Sequence, residues 1–350
     1  MSKVQVPSGV RSEGRAAVLR EAQGPSSVKV EDWPRGELAE GQVAVGIRFA
    51  GLNHLDLWLV SGAQRFEPPR VLCADGAGVV EESRDPRWKP GDEVVIYPVG
   101  CDWTCDACQA GQQVLCPRMA ILGEQTDGTA CERLVISGNN LYRRPAGLSW
   151  AESAAFPLTF LTAWRMLSTR ARLQPGETLL VVGAGAGVAS AAIILGRHLG
   201  ARVLATSRSE EKRKRAEALG AELTFPSEGF NKAVREATGG RGVDVVFEHV
   251  GPATLEESIR SVRKAGRVVF CGSTTGVRAE VHMPRLFLNQ VELIGSTMGN
   301  ASEFEGVLGV INAGLKPIVD SAFPLERVSE ALEHLDRGEQ FGKVLVEVKR

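Results

Sequence analysis

The sequence predicts an α/β protein with two domains, a mainly β domain followed by a doubly wound parallel sheet. Its 350 residues exceed the length of one ordinary domain. Residues 14–150 hold short β-type runs separated by Gly, Pro and Asp turns, which is typical of a barrel-like domain. From about residue 151, strand and helix patterns alternate, and this order implies parallel strands joined by helices.

The first part of the chain divides into a tail and the mainly β domain. Residues 1–13 are polar and contain Pro7 and Gly9, so we expect a loose tail or an ordinary frayed terminus. The mainly β domain covers 14–150, with β-type runs at 15–20, 42–50, 78–82, 93–97 and 131–136.

The parallel-sheet domain is predicted over 151–300, and a C-terminal segment over 301–350 adds two helical stretches and the final strand pattern GKVLVEV. Thr254 is expected to cap the helix after Pro252, with Glu257 bonding back to it. Ser209 is expected to cap the helix formed by EEKRKRAEAL. Six strands are predicted in the parallel sheet, at 178–182, 202–206, 222–225, 244–248, 267–271 and 291–295.

A glycine-rich turn opens the parallel-sheet domain within residues 178–208. Strand, glycine turn, helix and strand together are the context in which such a turn predicts a dinucleotide site. Glycines let a pyrophosphate approach the backbone, and the start of the helix attracts its negative charge. A purely structural turn is the alternative. The residues expected to contact the cofactor are Gly183, Gly185, Ala186, Gly187 and Val188.

The end of the second strand of this unit favours NADP(H) over NAD(H). An acidic residue there would bind the ribose hydroxyls and repel a 2′-phosphate, but the strand ends Thr206-Ser207-Arg208. Ser207 can donate a hydrogen bond to a phosphate, and Arg208 can bind it with two. Lys212 follows one helical turn later. The alternative is that Arg208 is an ordinary solvated charge.

Composition and charge exclude several classes of partner. The chain has 41 basic and 42 acidic residues, so it does not resemble a protein that binds nucleic acid or a membrane surface. Its apolar segments stay below the ~18 residues of a membrane span. A signal-peptide core is not evident, so we expect a cytoplasmic protein that acts on a small-molecule substrate.

Four of the seven cysteines lie close together, at Cys101, Cys105, Cys108 and Cys116. In a reducing compartment such a cluster binds metal more often than it forms disulfides.

The chain resembles the medium-chain dehydrogenase/reductase superfamily, which includes zinc alcohol dehydrogenases and quinone oxidoreductases. The resemblance covers approximately residues 14–350. Its motifs are specific for this family when taken together, whereas none of them would be specific alone. They are GLNHLDLWLVSG (51–62), DGAGVV (75–80), KPGDEVV (89–95), the cysteine cluster, the 183–188 turn, DVVFEHVG (244–251), VVFCGSTTG (268–276), LIGSTMG (293–299) and FGKVLVEV (341–348).

The resemblance implies a GroES-like catalytic domain, a Rossmann domain, and an active-site cleft between them. It also implies that the C-terminal segment returns to the catalytic domain. Homodimers joined through the edge strands of the Rossmann domain are frequent in the family, so we expect one here.

The resemblance also implies that this chain lacks the catalytic zinc. Asn53, Ala74 and Leu158 stand at the three positions where zinc-dependent relatives place Cys, His and Cys. Leu55 stands where those relatives have the hydroxyl that relays the alcohol proton. Without a metal to lower its pKa, an alcohol is a poor hydride donor.

The cysteine cluster resembles the structural zinc lobe of the family. The usual spacing of its cysteines is x2, x2, x7, but here it is x3, x2, x7. Either a bulged loop brings Cys101 to the metal, or Asp102, at the usual first position, supplies an oxygen ligand. A metal-free lobe is the third possibility.

The resemblance further implies roles around the nicotinamide. Asn53 is expected to orient the substrate carbonyl beside the ribose, and Tyr97 is a possible proton donor, with a turn asparagine and a buried strand tyrosine as alternatives. Asp56 matches an acidic position near the metal of zinc relatives and is a candidate catalytic residue, but a structural or hydrogen-bonding role is favoured over a different metal site, because too few nitrogen or sulfur ligands remain. His54 is expected at the pyrophosphate, or as a solvated loop histidine. The strand-end residues expected to face the cofactor are Val250, Gly251, Gly272, Ser273, Ser296, Thr297 and Met298.

These features predict an NADPH-dependent enoyl reductase or quinone oxidoreductase. NADPH would deliver hydride to the β-carbon of an enone, enal, enoyl compound or quinone, whose carbonyl already withdraws electrons. The alternatives are an alcohol/carbonyl dehydrogenase with an atypical metal site and a non-catalytic NADP(H)-binding protein.

Overall fold

The computed structural model describes residues 14–34 and 36–349, so the tail predicted at 1–13 lies outside the described part of the chain. The strands are β1 (Arg15–Leu19), β2 (Val28–Asp32), β3 (Gln42–Gly51), β4 (Arg70–Val71), β5 (Asp75–Ser83), β6 (Glu93–Ile96), β7 (Val99–Gly100), β8 (Ala120–Ile121), β9 (Arg133–Ser137), β10 (Leu141–Arg143), β11 (Thr178–Val181), β12 (Arg202–Thr206), β13 (Leu223–Phe225), β14 (Val243–Glu248), β15 (Val262–Phe270), β16 (Glu292–Gly295), β17 (Val319–Pro324) and β18 (Lys343–Glu347).

The α-helices connect and flank these strands. They are α1 (His54–Ser61), α2 (Asp106–Gln109), α3 (Trp150–Ala155), α4 (Pro157–Trp164), α5 (Gly187–His198), α6 (Glu210–Leu219), α7 (Phe230–Ala237), α8 (Pro252–Ser261), α9 (Met283–Asn289), α10 (Ala301–Asn312) and α11 (Val328–Asp336). A π-helical turn, Arg165–Arg170, continues α4. Short 3₁₀ turns lie at Pro25–Ser27, Gln113–Leu115, Gly138–Asn140 and Leu325–Arg327.

The second domain contains the predicted doubly wound sheet. Six parallel strands lie in the order β13-β12-β11-β14-β15-β16. The direction of winding reverses between β11 and β14, and ligands of such sheets bind in the crevice at that point. The glycine turn after β11 therefore lies at the edge where a dinucleotide is expected.

The first domain is a mainly β unit, and the end of the chain completes it. Its largest sheet has the order β10-β6-β5-β3-β18-β17, with β9 also paired to β3. The C-terminal strand β18 runs antiparallel to β3, with Leu345 opposite Gly51. A second sheet has the order β2-β1-β4.

One hydrophobic core runs continuously from the first domain into the parallel sheet. Phe156 and Phe160, around the junction of α3 and α4, belong to the same buried cluster as Leu179 in β11 and Phe304 in α10. A separate cluster fills the β-rich domain and includes the inner face of α11. The continuous core gives the two domains a common interior beside the cleft.

Candidate functional site

The glycine turn joins β11 to α5 at the crevice. Gly183 and Gly185 have φ values of 79° and 120°, in the left-handed region that residues with a Cβ rarely adopt. Ala186 is the N-cap of α5, so Gly187 and Val188 form its first turn. The start of α5 thus presents backbone N–H groups at the site predicted for the pyrophosphate.

Hydrogen bonds from two other segments hold this turn. The Gly183 N–H donates to Thr206 Oγ1 at 3.1 Å, at the end of β12. The Gly342 N–H donates to the Gly185 carbonyl at 2.9 Å, just before β18. The turn is therefore fixed by its own domain and by the chain segment that returns to the other domain.

The residues predicted for the 2′-phosphate lie at the same end of the sheet. Ser207 is buried, whereas Arg208 is exposed. The Lys212 ammonium donates to the Gly338 carbonyl at 2.5 Å, and its stem lies over Gly185, where an added Cβ would be 2.8 Å from Lys212 Cδ. A surface pocket of about 330 Å³ adjoins them and is lined by Ser209, Glu211, Lys212, Arg215, Gly338 and Glu339.

The other predicted cofactor contacts lie beyond the carboxyl ends of β14, β15 and β16. The N–H groups of Val250 and Gly251 donate to Glu248 Oε1 at 2.6 and 3.1 Å. The hydroxyl of Ser296 is buried and has no hydrogen-bond partner among the described residues. Met298 is buried with φ 44°, and Thr297 is exposed. Gly272 and Ser273 follow β15, where an added Cβ on Gly272 would lie 2.6 Å from the His249 carbonyl oxygen.

A buried ammonium lies beside Asn53, one of the positions where the resemblance implies a missing zinc ligand. Lys343 Nζ donates to the Leu52 carbonyl at 2.6 Å, to Asn53 Oδ1 at 2.7 Å and to Asp75 Oδ2 at 2.7 Å. Its side chain is only 4% exposed, and that of Asp75 is fully buried. An added Cβ on Gly187 would lie 2.9 Å from Lys343 Cδ, so the lysine also contacts the glycine turn.

Sequence reasoning missed Lys343. The signal was a lysine at the start of an otherwise apolar final strand, in FGKVLVEV. A lysine is almost never fully buried without a partner, so this one had to have an anionic neighbour. The sequence alone did not show that Asp75, 268 positions earlier, is that neighbour.

The arrangement does not fit a catalytic zinc ion. Ala74 has no ligand atom, and the side chain of Leu158 is apolar, while its N–H donates to Asp75 Oδ1 at 2.5 Å. Both carboxylate oxygens of Asp75 thus accept hydrogen bonds, and the Lys343 ammonium forms an ion pair with this carboxylate. Zinc sites in proteins need three or four Cys, His or carboxylate ligands, which this group of residues does not supply.

The side-chain amide of Asn53 is held by contacts within the protein. Its amide N–H₂ donates to the Gly51 carbonyl at 3.2 Å and to Asp75 Oδ2 at 2.9 Å, and its Oδ1 accepts from Lys343. Both donor hydrogens are therefore in use within the protein, so in this arrangement Asn53 could not orient a substrate carbonyl by donating to it.

The contacts of Asp56 are those of a structural residue, the role favoured for it over a metal ligand. Its carboxylate accepts from the N–H of Asn53 at 2.8 Å and from the N–H of Cys73 at 2.9 Å, so it closes the start of α1. Burial raises the pKa of Asp56 to about 6, and the two backbone hydrogen bonds act against that rise. The carboxylate is enclosed, which speaks against the predicted catalytic role.

The structure contradicts the predicted role of Tyr97 as a proton donor. The side chain is fully buried, and its hydroxyl donates to the Gly299 carbonyl at 2.7 Å. The ring packs 5.5 Å from Phe304, in the core shared by the two domains. Burial raises the pKa of the phenol far above its ordinary value. Tyr97 therefore links the domains instead of facing a substrate.

His54 is the first residue of α1, and its side chain is exposed. The imidazole packs edge-on against Trp58 at 5.4 Å between ring centroids. Desolvation lowers its pKa, and the nearby imidazole of His249 lowers it further. His249 follows β14 in the second domain, so charges on the two imidazoles interact across the domains.

The cysteine lobe forms a compact group of ligand atoms. One atom each from Asp102, Cys105, Cys108 and Cys116 lies within 4.8 Å of all the others. The thiol of Cys101 lies beside that of Cys108 but is not part of this group. Three thiols and one further ligand are a donor set that fits structural zinc.

Both carboxylate oxygens of Asp102 already accept hydrogen bonds from other residues of the lobe. Oδ1 accepts from the N–H groups of Thr104 and Cys105, both at 2.9 Å. Oδ2 accepts from Arg118 Nε at 3.0 Å and Nη2 at 2.7 Å. To bind a metal, Asp102 must release part of its contact with Arg118, or Cys101 must approach instead.

The fold and this crevice define a pyridine-nucleotide oxidoreductase of two domains. The chain belongs to the medium-chain dehydrogenase/reductase superfamily. The alcohol dehydrogenase GroES-like domain model matches residues 39–146, and the zinc-binding dehydrogenase model matches residues 187–313.

Relatives of two kinds resemble the chain. It is 30% identical over 354 residues to crotonyl-CoA carboxylase/reductase from Cereibacter sphaeroides, covering 90% of this chain and 82% of that protein. It is 29% identical over 334 residues to an NAD-dependent alcohol dehydrogenase from Sulfurisphaera tokodaii, covering 90% and 95%.

Solved structures of both kinds are also similar to the chain. A crystal structure of an NAD-dependent alcohol dehydrogenase has a TM-score of 0.92 and 40% identity, covering 96% of this chain and all of that one. A crotonyl-CoA carboxylase/reductase in complex with NADP has a TM-score of 0.88 and 25% identity, covering 96% and 95%. Within the described residues, none of the helices is both long and apolar enough to span a membrane.

Proposed function

We propose that the protein is an NADP(H)-dependent reductase that transfers hydride to a C=C bond conjugated with a carbonyl group, without catalytic zinc. Its acceptor is an enone, an enal, an enoyl compound such as an enoyl thioester, or a quinone. The observation that carries the proposal is the buried Lys343–Asp75–Asn53 network beside the positions of the missing zinc ligands. The crotonyl-CoA reductases among the relatives support it.

The proposed chemistry suits these residues. The carbonyl of such an acceptor withdraws electrons from the double bond, so hydride transfer needs orientation and hydrogen bonds more than a Lewis acid. Lys343 fixes Asn53 at the position where the resemblance places the nicotinamide ribose. The buried hydroxyl of Ser296, unpaired among the described residues, is free to bond the cofactor or the substrate.

The cofactor preference rests on the end of β12. Ser207, Arg208 and Lys212 stand beside the glycine turn, and Thr206-Ser207-Arg208 contains no acidic residue. Bound NADP(H) would supply the hydride. The lobe around Cys105, Cys108 and Cys116 would hold a structural zinc ion with Asp102 or Cys101, and the ion would brace a segment that has little core of its own.

The test is a substrate panel with NADPH and NADH, followed by the loss of absorbance of the reduced cofactor. The panel contains crotonyl-CoA, a simple enone, an enal, a quinone, an aldehyde and an alcohol. We expect oxidation of NADPH with at least one conjugated acceptor, undiminished by EDTA. NADPH that binds tightly but is not oxidised by any acceptor would contradict the proposal and favour a non-catalytic NADP(H)-binding protein.

A second candidate is an NAD(H)-dependent alcohol/carbonyl dehydrogenase. It is favoured by the 40% identity to the alcohol dehydrogenase structure. Alcohol oxidation that is lost on chelation would establish an atypical metal site. Equal or better kcat/KM with NADH would exclude the proposed NADPH preference.

We also propose that the chain forms a homodimer through the second domain. Strand β16 is the outer strand of the parallel sheet, and an edge strand offers unpaired backbone groups. Large apolar side chains are exposed close to it in the sequence: Val277, Met283, Phe287 and Leu288. Exposed apolar groups beside an open edge are typical of an interface.

A further inference from the structure

His249 is an unassigned imidazole beside the glycine turn. It directly follows β14 at the carboxyl end of the parallel sheet. An added Cβ on Gly183 would lie 3.1 Å from His249 Nε2, so this nitrogen is next to the first glycine of the turn. Nε2 is shielded from solvent, and within residues 14–34 and 36–349 it has no hydrogen-bond partner. Buried polar atoms normally have partners, so this one needs an explanation.

The nearest carboxylate does not supply that partner. Glu248 is bound by the N–H groups of Val250 and Gly251 and by the hydroxyls of Thr254 and Ser258. It acts on His249 only as a nearby charge. The backbone of Val182 and Gly183 also lies close to the ring, without a well-formed hydrogen bond to Nε2.

A second imidazole approaches from the other domain. His54 directly follows Asn53, which accepts from Lys343 where that lysine lies against Gly187 of the turn, and the nearby His249 disfavours a positive charge on His54. Asp336, at the end of α11, acts on His54 with the opposite sign. Two imidazoles from two domains therefore face the crevice at the glycine turn.

We infer that His249 is a cofactor-binding residue, which together with His54 holds the diphosphate of the dinucleotide between the two domains. The inference rests on the proposed cofactor and is independent of the hydride acceptor. A diphosphate would give Nε2 the acceptor that it lacks, and the two imidazoles would clasp it opposite the start of α5.

This arrangement makes cofactor binding depend on pH. Burial lowers the pKa of His249, and desolvation with repulsion by His249 lowers that of His54, so each binds a proton less readily in the free protein than an ordinary imidazole does. A bound diphosphate favours the protonated form of each, which raises their pKa values in the complex. Binding then takes up protons, and the affinity rises as the pH falls through the range between the bound and the free pKa values.

The experiment titrates the intact protein with NADPH by calorimetry at pH 6, 7 and 8, in buffers of different ionisation enthalpy. His249→Leu removes the donor, whereas His249→Gln keeps an N–H donor but cannot titrate. His198→Gln, on the exposed end of α5, is the matched control.

For the wild type we expect proton uptake and tighter binding at pH 6 than at pH 8. His249→Leu should bind roughly tenfold more weakly, as for a lost charge-assisted hydrogen bond. His249→Gln should approach the wild-type affinity at pH 8 but lose part of the pH dependence. Wild-type affinity and proton uptake in both His249 variants would overturn the inference and leave the proposed function intact. Failure of the wild type to bind NADPH or NADH would overturn the proposed cofactor itself.

Discussion

Lys343 determines the electrostatics of the candidate site. Its ammonium donates to three acceptors from two separate segments, the loop before α1 and the start of β5. A buried ion pair adds little net stability, but breaking it by removing one partner leaves an uncompensated charge. Lys343 is a positioning residue, since it touches Asn53 and the glycine turn and has no donor left for a ligand.

Replacement of Lys343 should therefore be costly. Lys343→Met should lower the free energy of unfolding by about 3–5 kcal/mol, because Asp75 stays buried without its counterion. Urea denaturation measures the change. The double variant Lys343→Met with Asp75→Asn should recover part of the loss. As a control, Lys349→Met removes an exposed pair with Glu81 and should cost less than about 1 kcal/mol. Similar losses in both single variants would contradict this account.

The raised pKa of Asp56 should make the stability of the folded protein decrease as the pH rises from 4 to 7. Its folded pKa of about 6 lies above the ordinary value of 3.8, so the folded state binds the proton more tightly than the unfolded chain. The contribution of Asp56 is complete below pH 4 and declines as the pH rises through 6. The stability of the wild type relative to Asp56→Asn should thus fall by up to about 3 kcal/mol between pH 4 and 7. Parallel curves for the two proteins would exclude the raised pKa.

At the scale of elements, several local signals predicted the structure correctly, and others failed for a physical reason. Ser209 caps α6 as expected, its hydroxyl accepting from the Lys212 N–H. The predicted cap Thr254 is wrong, because α8 already begins at Pro252 and the Thr254 hydroxyl donates to Glu248. Glu257 does not bond back to it but accepts from Gly229 and Asn231. These partners lie in other elements, which local sequence does not reveal.

The cysteine lobe gives a prediction for its fourth ligand. The compact group contains Asp102 and not Cys101, so Cys101→Ser should keep one zinc ion per chain in protein purified without chelators. Asp102→Ala should lower the zinc content, and Cys105→Ser should lower it further, since thiolates are the stronger ligands. Elemental analysis of the purified variants decides this. Loss of zinc in Cys101→Ser alone would reverse the assignment, and a zinc-free wild type would exclude the site.

At the scale of the whole molecule, the fold was predictable, but the interior of the site was only partly so. Alternating patterns gave the six parallel strands and their glycine turn, because each strand is a local feature of the sequence. The resemblance indicated which zinc ligands are missing. The contacts of Asn53, Tyr97 and Lys343 were not accessible, because each depends on a partner between 22 and 290 positions away.

The homodimer proposal can be tested by replacing exposed apolar residues on α9. Phe287 and Leu288, on α9, are 64% and 70% exposed. Replacing both with Glu should convert a dimer to a monomer in size-exclusion chromatography with light scattering, since charge would be buried in the interface. The same replacement at exposed Leu115, in the cysteine lobe, is the control. A monomeric wild type would refute the proposal.

The pairing of β18 with β3 has a consequence for biosynthesis. The first domain cannot close its main sheet until β18 has been made, since Lys343 and Leu345 insert beside β3 and the loop before α1. In a growing chain, β9 can pair with the first half of β3, but the stretch from Phe49 to Gly51 stays unpaired on that side while the whole parallel-sheet domain is being synthesised. We expect the parallel-sheet domain to fold first on the ribosome, with the earlier-synthesised domain completed only once β18 is available.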